Sequence, residues 1–242
     1  MTKNSYRLLL VKWLGGLLLV AGLSYLLISV LRPVWQQPVT RVIVEGKLHY
    51  ANRQRIQQVI LPQLRKGYFF VNLHNVKIAL QTLPWVQQAQ VRRLWPDQLI
   101  IHLQEQQVVA RWGKKGLLNA QHQVFYPASD SDLSHFDQLP HLFGSAGSED
   151  DMMTALELVD HQLRPIDLKV KELVLAKRRA WHLLLTNGIE VKVGRELNVT
   201  KLKRFVRFYQ GYLAKSRRSA AVIDLRYPHG LAIAWQTNHS KT

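Results

Sequence analysis

Cysteine is absent from the 242-residue chain, which excludes a disulfide framework, a Cys-rich zinc module and an iron–sulfur protein. Acidic residues are scarce, 16 against 33 Lys and Arg, so the formal charge is +17. Glycine and proline, 13 and 9, are too few for a collagenous or low-complexity chain. Nor does the sequence contain a nucleophile elbow, a Walker or Rossmann glycine loop, or a His-Glu-x-x-His zinc motif. What is present is 47% hydrophobic and 20% charged. That is enough apolar residue to bury at least one sizeable core, in one or two domains.

Trp13 to Leu31 are 19 consecutive uncharged residues between Lys12 and Arg32. As a helix they would be about 28 Å long, close to the roughly 30 Å of a bilayer core. A cleaved secretory signal has a shorter apolar core, about 7–15 residues, and ends in a small-residue site. Here the far end reads Ser29-Val30-Leu31-Arg32-Pro33, with no Ala-x-Ala pattern. The expectation is an uncleaved transmembrane helix over 13–31. The head, residues 1–12, has Lys3, Arg7 and Lys12 and no acidic residue, which places it in the cytoplasm and the rest across the membrane. A chain without cysteine is compatible with an oxidising compartment there.

After a Pro-containing spacer, residues 32–38, a first unit reads strand, helix, helix, strand, strand over 38–107. Val39 to Val44 is β-branched and runs into Glu45-Gly46. Asn52 can cap a helix with Ile56, Val59, Ile60 and Leu64 on one face, bent or ended by Pro62. Asn72 can cap a second, with Leu73, Val76, Leu80 and Leu83 inward, Lys77 and Gln81 outward, and Pro84 as the stop. Val86–Leu94 and Leu99–Gln104 make a hairpin around Trp95-Pro96-Asp97-Gln98.

The second unit, 108–236, is bipolar in charge. Between Lys115 and Arg164 there is no basic residue and there are eight acidic ones, whereas Lys169 to Arg218 has 14 basic and 3 acidic. Asn187-Gly188 predicts a two-residue type I′ hairpin turn, pairing Thr186 with Ile189 and Leu184 with Val191. From Thr200, Leu202, Phe205, Val206, Tyr209 and Leu213 share one helix stripe, with Lys201, Lys203, Arg204 and Arg207 opposite. Ala221–Arg226, the turn Tyr227-Pro228-His229-Gly230, and Leu231–Trp235 form a last strand pair, followed by a polar tail, 237–242.

Three groups of these residues bear on chemistry. Gly144-Ser-Ala-Gly-Ser148 lacks the spacing of a nucleophile or phosphate loop and reads as an ordinary loop. Asp130 and Asp132 are spaced like the metal-nucleotide pair of a membrane-anchored glycosyltransferase, though two aspartates in a Ser-rich stretch are more often a turn. The basic helix reads first as a solvated face, then as a surface for anionic lipid or an acidic protein, and last as a nucleic-acid surface. No metal, cofactor or catalytic residue is assigned.

The arrangement as a whole, together with Leu83-Pro84-Trp85-Val86, Val91-Arg-Arg-Leu-Trp95-Pro96-Asp97, Ala110-Arg111-Trp112, Leu139-Pro-His-Leu-Phe-Gly144, Arg178-Arg179-Ala-Trp181 and Asp224-Leu-Arg-Tyr227, resembles the FtsQ/DivIB family of bacterial cell-division proteins. The resemblance implies an α+β chain: a single transmembrane helix, a β-α-α-β-β POTRA module, and a C-terminal, mainly antiparallel β domain with flanking helices. It implies a non-enzymatic scaffold of the divisome, in the inner membrane at the division septum with its bulk in the periplasm. The β domain would bind the FtsB–FtsL pair and the POTRA module other division proteins. In family members FtsB adds a strand beside the last strand of the β domain, here Leu231 to Trp235, with Ile233 at its centre. Neighbouring contacts would come from Arg178, Arg226, Tyr227 and Gly230. Two residues depart from the pattern: Pro228, where relatives have a non-proline residue, and His229, where they have a small polar one.

Physics independent of the resemblance points to the same edge. A terminal strand with one neighbour leaves a row of amides and carbonyls open to another chain. Arginine suits bidentate carboxylate recognition, tyrosine offers rigid contact area, and a glycine lets a second backbone come close.

Overall fold

The computed structural model describes residue 13 and residues 16–29, 37–129, 131–216 and 218–236. Residues 16–29 form a helix, α1, with exposed side chains. Among the described residues no helix is long and apolar enough to cross a membrane. The span expected over 13–31 continues into residues outside the description, as do the tails 1–12 and 237–242. Beyond α1 the chain forms compact structure in two units, divided between Glu105 and Gln106.

In the first unit, β1 (Arg41–Glu45) is followed by α2 (Arg53–Leu64), α3 (Leu73–Gln81), β2 (Val86–Leu94) and β3 (Gln98–Glu105). The sheet order is β1-β3-β2, with β1 parallel and β2 antiparallel to β3. Both helices begin on asparagine caps: Asn52 Oδ1 accepts from Gln54 N, and Asn72 Oδ1 from His74 N and Asn75 N. Each cap pairs N–H groups that have no partner within the helix. Ile56, Ile60, Val76 and Leu80 bury against Val86, Ala89, Leu99, Ile101 and Leu103 of the sheet. Pro62, expected to bend or end the first helix, does not end it: α2 runs on to Leu64. Lys77, expected outward, is half-buried.

The second unit is a nine-stranded sheet with two main helices. Its strands are β4 (Val108–Trp112), β5 (Gly116–Asn119), β6 (Val124–Phe125), β7 (His141–Phe143), β8 (Val170–Leu175), β9 (Trp181–Leu185), β10 (Glu190–Gly194), β11 (Ala220–Asp224) and β12 (Ala232–Trp235). A single turn, α4 (Ser131–Ser134), precedes β7; α5 (Glu149–Leu163) and α6 (Val199–Gly211) are the helices that pack on the sheet. The order across the sheet is β12-β11-β10-β9-β8-β7-β4-β5-β6. Five of its junctions are antiparallel, and β10–β11, β7–β8 and β4–β7 are parallel. α5 supplies a connection between the parallel strands β7 and β8, and α6 one between β10 and β11, as parallel neighbours require. Met152, Leu156 and Val159 of α5 and Leu202, Phe205 and Val206 of α6 share one core with Leu173, Leu183, Val191 and Ile223.

The β9–β10 turn corrects the expected register. Leu184 faces Glu190 and Leu183 faces Val191, one residue away from the pairing a type I′ turn would impose. Gly188 has φ +83° and Asn187 has no positive φ, whereas type I′ needs both central residues there. Leu185 N donates to Ile189 O (3.0 Å) and Gly188 N to Leu185 O (2.9 Å), enclosing a three-residue loop, Thr186–Gly188. A one-residue slip turns every side chain to the other face. The observed register puts Leu183, Leu185, Ile189, Val191 and Val193 together in the core. The expected one would have set His182 and Thr186 against it.

Candidate partner-binding edge

Among the described strands β12 pairs with β11 alone, so it stands at one margin of the nine-stranded sheet. The register says which of its backbone groups face out. Leu225 N donates to Lys192 O of β10, so the odd-numbered residues of β11 turn their hydrogen-bonding groups toward β10. The even ones, Val222 and Asp224, therefore turn theirs toward β12, where they stand opposite Ala234 and Ala232. Beyond the bulge in this pair, Gln236 N donates to Ser219 O. Alternation leaves the N–H and C=O of Ile233, and of Leu231 and Trp235 on either side, directed away from the sheet. These are the three strand residues singled out in the sequence, although Leu231 and Arg226 fall just outside the strands themselves.

The remaining candidates gather at one end of the sheet. The start of β9 (Trp181) lies opposite the end of β10 (Gly194), and β11 runs parallel to β10. The turn 176–180, which carries Arg178, and the turn 225–231 therefore emerge on the same side, two strands apart. Arg178 is exposed on a tight turn closed by Arg179 N to Ala176 O (2.8 Å) and Ala176 N to Ala180 O (2.9 Å). Tyr227 is 53% exposed. Gly230 has no positive φ, and a Cβ there would meet nothing within 4 Å. Neither backbone conformation nor packing among the described residues explains the glycine.

Arg226 is not a free cation. Its Nε lies 2.9 Å from both carboxylate oxygens of Asp224 and its Nη2 2.6 Å from Oδ2, while its backbone N donates to Oδ1 (3.0 Å). These hydrogen bonds from Arg226 hold the Asp224 carboxyl below its ordinary 3.8. Gly194 (φ +87°) sits beneath the arginine stem, where a Cβ would stand 3.1 Å from Arg226 Cγ. A partner carboxylate would meet an arginine already paired with Asp224, with Nη1 as the end not turned to that carboxylate.

Several supports of this edge come from residues distant in sequence. Arg204 Nη1 donates to Pro228 O (2.6 Å), tying the turn before β12 to α6, and Lys201 Nζ donates to Val193 O and Glu196 O (3.0 Å each). Two of the four cations assigned to a solvated, lipid-seeking face are thus spent inside the chain. The Arg218 guanidinium lies 4.8 Å from the centroid of the Trp235 ring, and the Tyr212 ring packs against the same Trp235 at 6.3 Å between centroids. The Asp224-Leu-Arg226 spacing was the one local signal for the ion pair.

Other candidates lead elsewhere. Ser148 is buried and its Oγ donates to Ser145 O (2.6 Å), so the Gly144–Ser148 loop spends its hydroxyl on its own turn. It leads into α5, whose first turn carries Glu149, Asp150 and Asp151 and would repel a phosphate. Asp130 and the side chain of Asp132 lie outside the description, and among the described residues no group of three His, Asp or Glu could hold a metal.

Fold and edge together define a class: a small β-α-α-β-β module followed by a larger mixed sheet that ends on an open strand. Residues 37–106 match the POTRA domain of FtsQ type, and residues 110–226 the C-terminal domain of cell division protein FtsQ/DivIB, a match that stops short of β12. The cell division protein FtsQ of Shewanella oneidensis is 36% identical over 226 residues, 92% of this chain and 85% of that protein. Those of a Thioalkalivibrio species and of Vibrio cholerae are 34% and 32% identical, covering 97% and 90% of this chain. The chain belongs to the FtsQ/DivIB family of cell division proteins.

Proposed function

We propose that this cell division protein is a non-enzymatic, single-span scaffold of the divisome that holds the FtsB–FtsL pair by adding a strand of FtsB to β12. Its POTRA module (38–107) takes other division proteins, and its β domain (108–236) takes FtsB. The protein resides in the inner membrane at the septum, with residues 1–12 in the cytoplasm. The observation that carries the reading is the outward-facing backbone of Leu231, Ile233 and Trp235 on a strand with one neighbour. The 19 uncharged residues 13–31, helical and exposed over 16–29, support the span. Anchoring would hold the edge at the membrane surface with similarly anchored partners, so a modest intrinsic affinity suffices.

The test uses the edge geometry. Proline at an outward N–H removes a donor without touching the β11 ladder, whereas proline at an inward one breaks it. Full-length Ile233→Pro should keep its circular dichroism and lose capture of co-expressed FtsB–FtsL. Capture at the parental level would overturn strand addition at this edge. Replacing residues 13–31 by another uncharged span should leave capture intact.

A further inference from the structure

One end of the POTRA unit gathers exposed aromatic rings and cations beside the point where the chain enters it. β1 begins there, with Thr40 N donating to Asp97 O (3.0 Å) and Thr40 Oγ1 to Asp97 Oδ2 (2.8 Å), so the turn Trp95-Pro96-Asp97 stands beside the point where the chain enters the module. The loop Gly67–Phe70 is held at the same end. Tyr68 N donates to Gln37 O (2.9 Å), and the Arg93 guanidinium donates to the carbonyls of Tyr68 (3.2 Å), Phe69 (3.3 Å) and Val71 (2.8 Å). These bonds leave the aromatic side chains outside: Trp95 is 79%, Phe70 56% and Phe69 42% exposed. Arg41, Arg65, Lys66 and Arg92 are exposed around them and make no ion pair among the described residues. Asp97 is the sole carboxylate at this end among the described residues, and Glu45 and Glu105 lie at the far ends of their strands.

Two observations select the occupant. Leu31 ends the uncharged stretch, and Gln37 is bonded to the aromatic loop only six residues later. Six residues reach at most about 20 Å, so if the stretch spans the membrane the loop lies within about 20 Å of the hydrocarbon edge, close enough to meet the interfacial layer. The chemistry matches that zone, where tryptophan and other amphipathic or aromatic rings settle at headgroup level and clustered cations attract anionic lipid.

We propose that this end of the POTRA unit docks on the anionic surface of the membrane that holds the protein, Phe69, Phe70 and Trp95 entering the headgroup layer and Arg41, Arg65, Lys66 and Arg92 meeting lipid phosphates. The inference rests on the span read above for its geometry. Docking would fix the tilt of the module and set which of its faces point away from the membrane.

Because the chain has no cysteine, single nitroxide labels can be placed at will. The full chain would be reconstituted in phosphatidylglycerol-containing vesicles with a label at Phe70→Cys, Trp95→Cys, Lys47→Cys (the opposite end) or Leu26→Cys (the span). Accessibility to oxygen and to a water-soluble nickel chelate then reports depth. Labels at 70 and 95 should be oxygen-accessible and shielded from nickel, and should lose that shielding in pure phosphatidylcholine or in Arg65→Glu/Arg92→Glu. The label at 47 should remain in water. Labels at 70 and 95 as nickel-accessible as the one at 47 overturn the docking. With 26 deep in the bilayer that failure belongs to the docking alone, whereas a water-exposed label at 26 overturns the span. Shielding at 70 and 95 that persists in phosphatidylcholine would overturn the anionic-lipid component.

Discussion

Arg226 folds back on Asp224, two residues before it, with three guanidinium contacts of 2.6–2.9 Å and a fourth bond from its own backbone N–H. The carboxylate is mostly shielded, its side chain 14% exposed, while the arginine side chain remains 62% exposed. The pair closes the end of β11 and aims the chain into the turn before the edge strand.

The pair makes stability depend on pH in a fixed direction. Asp224 titrates below 3.8 in the folded protein, chiefly through its hydrogen bonds from Arg226, so the folded state binds the proton less readily than the unfolded chain. The stabilisation is present above pH 3.8 and is lost as pH falls through the lower, folded value. Thermal unfolding of Asp224→Asn against the parent should therefore show a difference at pH 7 that shrinks on acidification below pH 3.8. A difference that is constant with pH would separate the carboxylate's charge from the stability of this corner.

Position by position, the β9–β10 turn can be told from a type I′ turn. Gly188 occupies the left-handed region, which costs an L-residue about 1–2 kcal/mol, whereas Asn187 is not at positive φ. Gly188→Ala should lower stability by about 1 kcal/mol or more in a denaturant titration. Asn187→Gly, harmless in a type I′ turn, should here be destabilising through loss of the Asn187 Oδ1 bond from Ile189 N (3.2 Å).

Glu105 closes the far end of the POTRA sheet by accepting backbone N–H bonds from His49, Tyr50 and Ala51 at 2.8, 2.9 and 2.6 Å. Hydrogen bonds to a charged acceptor are each worth about 1.5–3 kcal/mol. Glu105→Ala should cost the unit at least about 3 kcal/mol, visible as a lower denaturant midpoint, and amide exchange at 49–51 should accelerate with it.

At the binding edge, Gly230→Val and Tyr227→Ala test approach and contact separately. Open space around the Gly230 Cβ position predicts an unchanged melting temperature for Gly230→Val with reduced FtsB–FtsL capture. Tyr227→Ala removes an exposed side chain of a type that often carries 2 kcal/mol or more in interfaces, so capture should weaken about 30-fold or more.

Periodicity, caps and turn residues by themselves determined the order of elements in the first unit, the Asn52 and Asn72 caps, the buried stripe of α6 and the candidate last strand, because each depends on neighbours a few residues away; the strands and helix between 108 and 175 carry no such local signal. The mixed charge and the uncharged run 13–31 were legible in the same way. Tertiary structure decided what depends on distant residues. It set the β9–β10 register, where burial of five apolar side chains overrode a favoured turn dipeptide. It made β10–β11 and β7–β8 parallel and thereby left β12 at the margin. It also bonded Arg226, Arg204 and Lys201 to Asp224, Pro228 and Val193. Local sequence states which groups can bond; only the folded chain determines which of them are already spent.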